Sequence, residues 1–249
     1  MPHNINDKFF AGSYKHAWKG ISPEGLTQAE TDFIMELAAL REGSLVLDMM
    51  CGYGRHSIEL ARRGMRVTAI DNLPDYISEI RQAAESEKLP INAHVENAAS
   101  MKLDQAYDAV ICMGNSFSFF DRATTFKIIR NISAHLKPGG KMFINSWMIA
   151  EIAIRYFREK DWHYAGDYKC LLEYEFMFDP TRIESEQTII SNNGEIEVVQ
   201  GIDYIYTLSE LDAMFSEAGL QTIARYSTPR KRKFNLGDTQ IYIVVNKIR

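Results

Sequence analysis

The residues best suited to chemistry in this 249-residue sequence are a carboxylate and two glycines in one short turn: Asp48, Gly52 and Gly54. The apolar run before them, 45–47, predicts a buried strand, and the apolar spacing after them predicts a helix that begins near residue 55. A strand, a glycine turn and a helix N-terminus together bring backbone N–H groups to a gap that a ligand can enter, because glycine lacks the Cβ that would fill it. The pattern therefore predicts a cofactor site.

A second carboxylate, Asp71, ends the next strand-like run, 66–71, and follows Gly54 by 17 positions. A carboxylate at the tip of the neighbouring parallel strand can accept hydrogen bonds from ribose hydroxyls. Asp48 separates two classes of cofactor, since it would repel the pyrophosphate of a nicotinamide dinucleotide and attract the sulfonium and amino groups of S-adenosyl-L-methionine. In addition, position 57 is Ser, whereas the dinucleotide pattern has a third Gly or an Ala there. The charges favour S-adenosyl-L-methionine.

The segments around these residues resemble the first two motifs of the class I S-adenosylmethionine-dependent methyltransferases. They are residues 48–55, Asp-Met-Met-Cys-Gly-Tyr-Gly-Arg, and residues 69–72, Ala-Ile-Asp-Asn. Residues 107–117 and 136–144 are similar to the fourth and fifth strands of that family. The Cys-Gly-x-Gly-Arg-His form resembles the branch of the family that acts mostly on small molecules.

The resemblance implies an α/β fold with a Rossmann-like, seven-stranded, mostly parallel sheet and an N-terminal lid segment. The alternation and turn residues of 149–206 add an antiparallel β insertion that the minimal fold lacks. The resemblance also implies that S-adenosyl-L-methionine is the cofactor and S-adenosyl-L-homocysteine the product. The cofactor-binding residues expected from it are Asp48, Met49, Cys51, Gly52, Gly54, Asp71, Asn72, Asn97, Ala98, Met113 and Gly114.

The pattern along the chain divides the predicted single domain, 1–249, into four parts. A lid segment and a first helix occupy residues 1–40, and the cofactor-binding core occupies 41–148. The antiparallel β insertion spans 149–206, and a closing helix and β-hairpin span 207–249. We expect the insertion to build either the substrate wall or a dimer face, and the sequence leaves both open.

Local signals support these divisions. Capping boxes predict helices that begin at Thr27 and Thr207. Apolar residues alternate with charged ones over 172–178, which predicts a strand with one buried face. Residues 192–194, Asn-Asn-Gly, predict a hairpin turn inside the insertion.

Three residues are candidates for the catalytic step: Tyr14, His16 and Asn115. In the resembling family the aromatic N-terminal segment caps the active site, so we expect Tyr14 either to close a lid over the cofactor or simply to pack on the core. Asn115 follows the fourth strand, at the edge where open α/β sheets bind ligands, and is expected to face the acceptor. A hydroxyl acceptor would need a base, for which His16 is a candidate, although a lone histidine is more often a structural residue.

No paired carboxylates and no Asp–His pair stand out in the sequence, which fits a neutral amine nucleophile that needs no strong base. We therefore expect in-line methyl transfer to a nitrogen or oxygen of a small-molecule acceptor, driven by alignment and removal of water, with an amine slightly favoured. Three alternatives remain: an RNA or tRNA methyltransferase, an NAD-dependent oxidoreductase, and a cofactor-binding protein without catalytic activity. The four consecutive cations at 230–233 are the feature that an RNA partner would use.

Composition and net charge limit the kinds of partner that the sequence predicts. The chain has the length of one large α/β domain, and its net charge of −5 gives no general attraction to nucleic acid or to an anionic membrane. The widely spaced Cys51, Cys112 and Cys170 favour a reducing compartment and exclude a zinc knuckle, so no metal is expected. Because no signal segment and no apolar run of membrane length is present, we expect a cytoplasmic protein, monomeric or homodimeric.

Overall fold

A computed structural model describes residues 4–248 as a chain of helices and strands around two sheets. The α-helices are α1 Asn6–Phe9, α2 Gly12–Ile21, α3 Leu26–Ala38, α4 Arg55–Arg62, α5 Pro74–Glu87, α6 Arg122–His135, α7 Ala150–Tyr156 and α8 Leu208–Glu217, and a 3₁₀-helix spans Ser116–Phe119. The strands are β1 Leu45–Met49, β2 Arg66–Asp71, β3 Ile91–Val95, β4 Tyr107–Cys112, β5 Leu136–Ser146, β6 Lys160–Ala165, β7 Tyr168–Phe178, β8 Thr181–Ile190, β9 Ile196–Tyr204, β10 Leu220–Tyr226 and β11 Ile241–Lys247.

The large sheet has seven strands in the order β10-β11-β5-β4-β1-β2-β3. Strands β1 to β5 run parallel to their neighbours among themselves, and β11 is antiparallel to both β5 and β10. The expected seven-stranded, mostly parallel sheet is thus confirmed. Strand order reverses at β1, which lies between β2 and β4, and open α/β sheets bind their ligands beyond the carboxyl ends of strands at such a point.

Both faces of the large sheet are covered by helices. Residues of α6 and α8 pack on one face, and residues of α3 and α4 pack on the other. This double burial explains why β1 and β11 are apolar along most of their length, because neither face of these strands meets water.

The predicted antiparallel insertion is present as a second sheet of four strands in the order β6-β7-β8-β9. The insertion begins with α7, which lies before the sheet in the chain. Neither α7 nor β6 is predicted from the sequence pattern. The predicted turn at 192–194 joins β8 to β9, where the Ser191 N–H donates to the Glu195 carbonyl and Gly194 has a φ of 85°. Alternate residues of β7 are buried or half-buried, as the period-two pattern predicted, except that Phe178 at the end of the run is 84% exposed. Cys170 packs against the N-terminal helices, and Tyr174 and Phe176 pack against α7.

One of the two predicted capping boxes is present and the other is wrong. The Thr207 hydroxyl accepts from the Glu210 N–H, and the Glu210 carboxylate accepts from the Thr207 N–H, which completes the box. Helix α3 instead begins one residue before Thr27, after Gly25, and the Thr27 hydroxyl accepts a hydrogen bond from Arg55 at 3.0 Å. The capping box is absent because the side chains of Thr27 and Glu30 both accept hydrogen bonds from Arg55 instead of from the backbone of α3.

The N-terminal segment lies over the carboxyl ends of the large sheet and is bonded to the 3₁₀-helix, to β9 of the small sheet and to α5. The Asn4 amide donates to the Phe119 carbonyl at 2.8 Å, and the Asn6 amide donates to the Ile202 carbonyl at 2.9 Å. The Tyr76 hydroxyl donates to the Phe10 carbonyl at 3.2 Å. Within residues 4–248, no helix is long and apolar enough to cross a membrane.

Candidate active site

A cavity of about 400 Å³ lies beyond the carboxyl ends of β1, β2 and β4, under the N-terminal helices. Its floor contains both carboxylates that the sequence singled out, Asp48 and Asp71, together with Gly52. Phe10 and Trp18 form part of its cover. A concave site of this size, with a few convergent polar groups, is of the kind that holds a nucleoside-sized ligand.

Asp71 is buried at the end of β2 and is held by backbone donors. One carboxylate oxygen accepts from the Gly52 N–H at 2.9 Å and the other from the Leu73 N–H at 3.0 Å. Burial raises the pKa of Asp71 to about 6, because these two hydrogen bonds offset only part of the cost of taking a charge out of water. The carboxylate therefore fixes the glycine loop from one side and faces the cavity from the other.

Asp48 is buried at the end of β1 and accepts a hydrogen bond from the Ser57 hydroxyl at 2.6 Å. Burial raises its pKa, and this is opposed by the nearby charge of His56 and by the Ser57 hydroxyl. Two buried carboxylates on adjacent strands therefore face one space. Such a space is suited to a ligand that carries positive charge.

Glycine suits the two positions of the loop for different structural reasons. At Gly52, which has a φ of +54°, an added Cβ would meet no atom within 4 Å, since it would project into open space in the cavity. At Gly54, which has a φ of +77°, an added Cβ would lie 2.5 Å from Ile80 Cγ1 of α5. Gly52 thus leaves room for a ligand, whereas Gly54 leaves room for a neighbouring helix.

Nine of the eleven residues expected to bind the cofactor line this cavity: Asp48, Cys51, Gly52, Asp71, Asn72, Asn97, Ala98, Met113 and Gly114. Met49 does not, because its side chain points from β1 into the buried core. Gly54 does not, for the packing reason given above. The Asn97 side-chain oxygen, expected to face the ligand, accepts from the Ala99 N–H at 2.9 Å.

The three candidate catalytic residues lie outside the cavity wall. Tyr14 packs with Phe9 against the inner face of the small sheet, and burial raises the pKa of its hydroxyl. His16 is exposed on α2. Asn115 is buried and joins elements: its amide donates to Asp203 at 3.0 Å, and its oxygen accepts from Ser146 Oγ at 2.8 Å.

A buried ionic network beside the cavity was missed from the sequence. Glu30 of α3 accepts from Arg55 at 2.6 Å, from His56 at 2.9 Å and, through its other oxygen, from the Tyr242 hydroxyl at 2.8 Å. Burial acts to raise the pKa of Glu30, but the hydrogen bonds and charges of His56 and Arg55 outweigh it and lower the pKa to about 2. Arg55 and His56 both line the cavity. Their position directly after the glycine loop is the sequence feature that could have indicated them as site residues.

A second missed feature connects the cavity to the small sheet. Asp203 of β9 accepts hydrogen bonds from Asn115 and from the Ser118 hydroxyl, and burial raises its pKa to about 6. Trp18, in the cavity wall, contacts Trp147 with ring centroids 6.0 Å apart. The aromatic N-terminal run was the only sequence signal for this contact.

The cavity fits S-adenosyl-L-methionine better than a dinucleotide. The Gly52 N–H, which a pyrophosphate would need, already donates to Asp71, and a pyrophosphate there would meet the second carboxylate of Asp48. A sulfonium and an ammonium group are attracted by the same two carboxylates. In the described part of the chain, no group of three or more His, Cys, Asp or Glu residues could hold a metal ion.

Residues 46–140, which contain the glycine loop and both carboxylates, match a protein family described as a methyltransferase domain. This part of the chain is therefore a methyltransferase domain. The same fold is found in a solved S-adenosylmethionine-dependent methyltransferase from Clostridium acetobutylicum. That protein has a TM-score of 0.82 at 16% identity over 96% of this chain and 98% of its own.

Two further proteins are similar to this methyltransferase domain. CalS10, an amino pentose methyltransferase from Micromonospora echinaspora solved with S-adenosylmethionine bound, has a TM-score of 0.71 at 21% identity, over 95% of this chain and 97% of its own. A ubiquinone biosynthesis O-methyltransferase from Xanthomonas axonopodis is 31% identical over 142 residues, which are 55% of this chain. The chain spans 58% of the length of that relative, so the likeness concerns the methyltransferase domain and not the whole protein.

Proposed function

We propose that this chain transfers a methyl group from S-adenosyl-L-methionine to a nitrogen or oxygen of a small-molecule acceptor, with an amine nitrogen favoured. The observation that carries the proposal is the cavity in which Asp48 and Asp71 converge beside Gly52. S-adenosyl-L-methionine, when bound, supplies a methyl group on a positively charged sulfur that is a good leaving group. The relatives of known chemistry include one that acts on an amino sugar and one named as an O-methyltransferase, which supports both acceptor atoms.

Each side chain of the cavity has a proposed part in holding the cofactor. Asp71 accepts hydrogen bonds from the ribose hydroxyls, and Asp48 attracts the positive charge of the amino-acid part. Asn97 and Ala98 lie toward the adenine, and the open side of Gly52 allows the close approach. The lining contains more carboxylates than cations, which supports a cationic ligand.

The catalytic contribution of the protein is orientation and exclusion of water. The N-terminal segment covers part of the cavity and is bonded to the 3₁₀-helix after β4 and to β9, so it shields a bound acceptor from bulk solvent. Alignment of this kind supplies up to ~7–11 kcal/mol in ideal cases. We assign Asn115 a positioning part, because its oxygen accepts from the Trp147 N–H at 3.2 Å, and Tyr14 a part in closing the N-terminal segment.

The proposed acceptor site is the part of the same cavity at the carboxyl end of β4, next to Met113 and Gly114. Phe10, Trp18 and Phe119 line this part, so it can take a small molecule with a ring or sugar body. In-line transfer needs the acceptor atom in contact with the methyl group, and this part of the cavity adjoins the space proposed for the cofactor.

The basic run at 230–233 gives little support to an RNA acceptor. Lys231 pairs with Glu36, and Arg232 pairs with Asp238 at 2.6 Å. Half of the run is therefore neutralised by the protein's own carboxylates, and a phosphate backbone would have to displace them.

The test is to incubate the protein with S-adenosyl-L-methionine and panels of amines, phenols, amino sugars and tRNA, and to follow both S-adenosyl-L-homocysteine release and methylated product. We expect turnover with a small amine or hydroxyl compound and tight binding of S-adenosyl-L-homocysteine in calorimetry. Methylation of tRNA alone would overturn the acceptor class. Binding of NADH without binding of S-adenosyl-L-homocysteine would overturn the cofactor, and cofactor binding with no product in any panel would support a protein without catalytic activity.

A further inference from the structure

The outer face of the small sheet, turned away from the N-terminal helices, carries a group of exposed apolar side chains. Trp162 and Tyr164 of β6 are 59% and 68% exposed, and Ile196 and Val198 of β9 are 67% and 53% exposed. Leu171 of β7 is also exposed and pairs with Trp162. We call these five residues the outer apolar patch.

The strand register arranges the outer apolar patch in two straight rows across the sheet. The first row is Tyr164, Lys169, Ile190 and Ile196, and the second row is Trp162, Leu171, Thr188 and Val198. Because residues two apart on a strand point to the same face, both rows lie on the outer face and touch each other. Single exposed apolar residues are ordinary in soluble proteins, but a contiguous patch marks an interaction surface.

The β9 edge of the small sheet is less available than this face. The Asn6 side chain donates to the Ile202 carbonyl at 2.9 Å and accepts from the Ile202 N–H at 2.8 Å, as a neighbouring strand would. The Ser13 N–H donates to the Glu197 carboxylate of the same strand. An added strand cannot pair at Ile202, where the backbone is already bonded, and the Glu197 side chain holds α2 against this edge, so the face is the larger free surface.

We propose that the outer apolar patch is the interface between two copies of this chain, packed face to face. Acidic residues border the patch along the strands, with Glu173 and Glu186 in the next row and Glu175 and Glu184 in the one after. Lys160 pairs with Glu173 and Arg182 pairs with Glu184, so the repulsion of an anionic lipid surface comes from Glu175 and Glu186 together with the net charge of −5. A second copy meets the patch without meeting the border.

A two-fold axis that runs across the strands, between the two rows, gives this arrangement. It places the first row of one copy opposite the second row of the other, so Trp162 faces Tyr164 and Ile196 faces Val198 across the contact. Aromatic side chains then meet aromatic ones and branched aliphatic side chains meet branched aliphatic ones. The acidic rows of both copies extend past the contact into solvent.

The area is of the order that a dimer needs. With exposed fractions between about one third and two thirds on five large side chains, the patch offers roughly 600 Å² per copy. A stable interface buries about 800 Å² per partner, and Lys169, Thr188 and Ile190 between the patch residues supply further area.

The first test is sedimentation of the full chain over a range of concentrations, with a matched set of variants. We expect the wild type to have twice the mass of one chain and Trp162→Glu or Ile196→Glu to weaken the dimer about 100-fold or more, because each change occurs twice in a symmetric contact. The control is Leu236→Glu, which changes a residue that is 72% exposed outside the patch and should leave the dimer intact. Binding of S-adenosyl-L-homocysteine by each variant shows that it is folded.

A second readout needs no disruptive change. Dilution of the wild type should shift its tryptophan emission to the red as Trp162 becomes exposed, and Trp162→Phe should abolish the shift while keeping the dimer. A wild type that stays monomeric at its solubility limit would overturn the proposal, as would a dimer that Leu236→Glu weakens as much as Trp162→Glu does. Flotation of the protein with anionic vesicles, in place of self-association, would assign the patch to a lipid surface instead.

Discussion

The two sheets differ in how many faces they bury. In the large sheet, helices cover both faces, so polar groups such as Asp48 and Asp71 occur at strand ends, where the cavity lies. In the small sheet, only the inner face is covered, and β7 alternates between buried and exposed residues. The large sheet therefore presents its chemistry at one edge, whereas the small sheet has one face that closes the site and another that is available to a partner.

The largest expected effect separates the two glycines at the edge of the large sheet. Gly54→Ala should lower the free energy of unfolding by about 3 kcal/mol, because the new Cβ is strained at positive φ and clashes with Ile80. Gly52→Ala, the matched control, should cost only about 1 kcal/mol, since its Cβ meets nothing. Urea unfolding of both variants measures the difference, and equal losses would contradict the packing account of Gly54.

The next effect compares one buried carboxylate from each sheet. Asp71→Ala should weaken binding of S-adenosyl-L-homocysteine about 100-fold, because it removes both the ribose acceptor and the anchor of the Gly52 N–H. Asp203→Ala, in the small sheet, should change this affinity by less than about threefold. Calorimetry on both variants decides, and a similar loss in each would mean that the two sheets do not divide the work as described.

The pH dependence sharpens the part of Asp71. Its pKa of about 6 predicts that affinity for S-adenosyl-L-methionine falls about tenfold from pH 7 to pH 5, as the carboxylate is protonated. The effect on folding has the opposite sign: a raised pKa means that the folded state binds the proton more tightly than the unfolded chain, so the contribution of Asp71 to stability falls as pH rises through about 6. Asp71→Asn should remove both trends, and an unchanged pH profile in that variant would assign them to other groups.

The smallest expected effect is on the side of the small sheet. If the N-terminal segment acts as a lid, Tyr14→Phe should lower turnover about threefold while cofactor affinity stays within about twofold, because Tyr14 does not line the cofactor cavity. Tyr168→Phe, which changes another tyrosine of the same cluster, is the control. Steady-state kinetics with parallel calorimetry tests this, and equal loss of both quantities would favour plain packing.

The cavity floor could be predicted because residues close together in the sequence determine its geometry. The strand, the glycines and the helix start of 45–57 determine one turn, and Asp71 ends the adjacent strand, so the meeting of Asp71 with Gly52 needs no distant information. The same holds for the box at Thr207, whose partners are three residues apart.

The cover of the cavity could not be predicted in the same way. Which side of α2 meets the small sheet depends on packing with residues far along the chain, so nothing near Tyr14 or His16 shows that one is buried against the sheet and the other exposed. Glu30 gave the signal of a capping box, but a distant cation, Arg55, outweighed the local preference. Similarly, the Asn115 amide donates to Asp203, which belongs to the distant insertion.

The hydrogen bond between the Gly52 N–H and Asp71 has a consequence for the order of events in turnover. Since the loop is held by the protein's own carboxylate, it keeps its shape when product leaves and the next cofactor molecule arrives, and little conformational entropy is lost on refilling. We therefore expect exchange to be limited elsewhere, by movement of the N-terminal segment that covers the cavity and is held to β9 by Asn6 and Ile202.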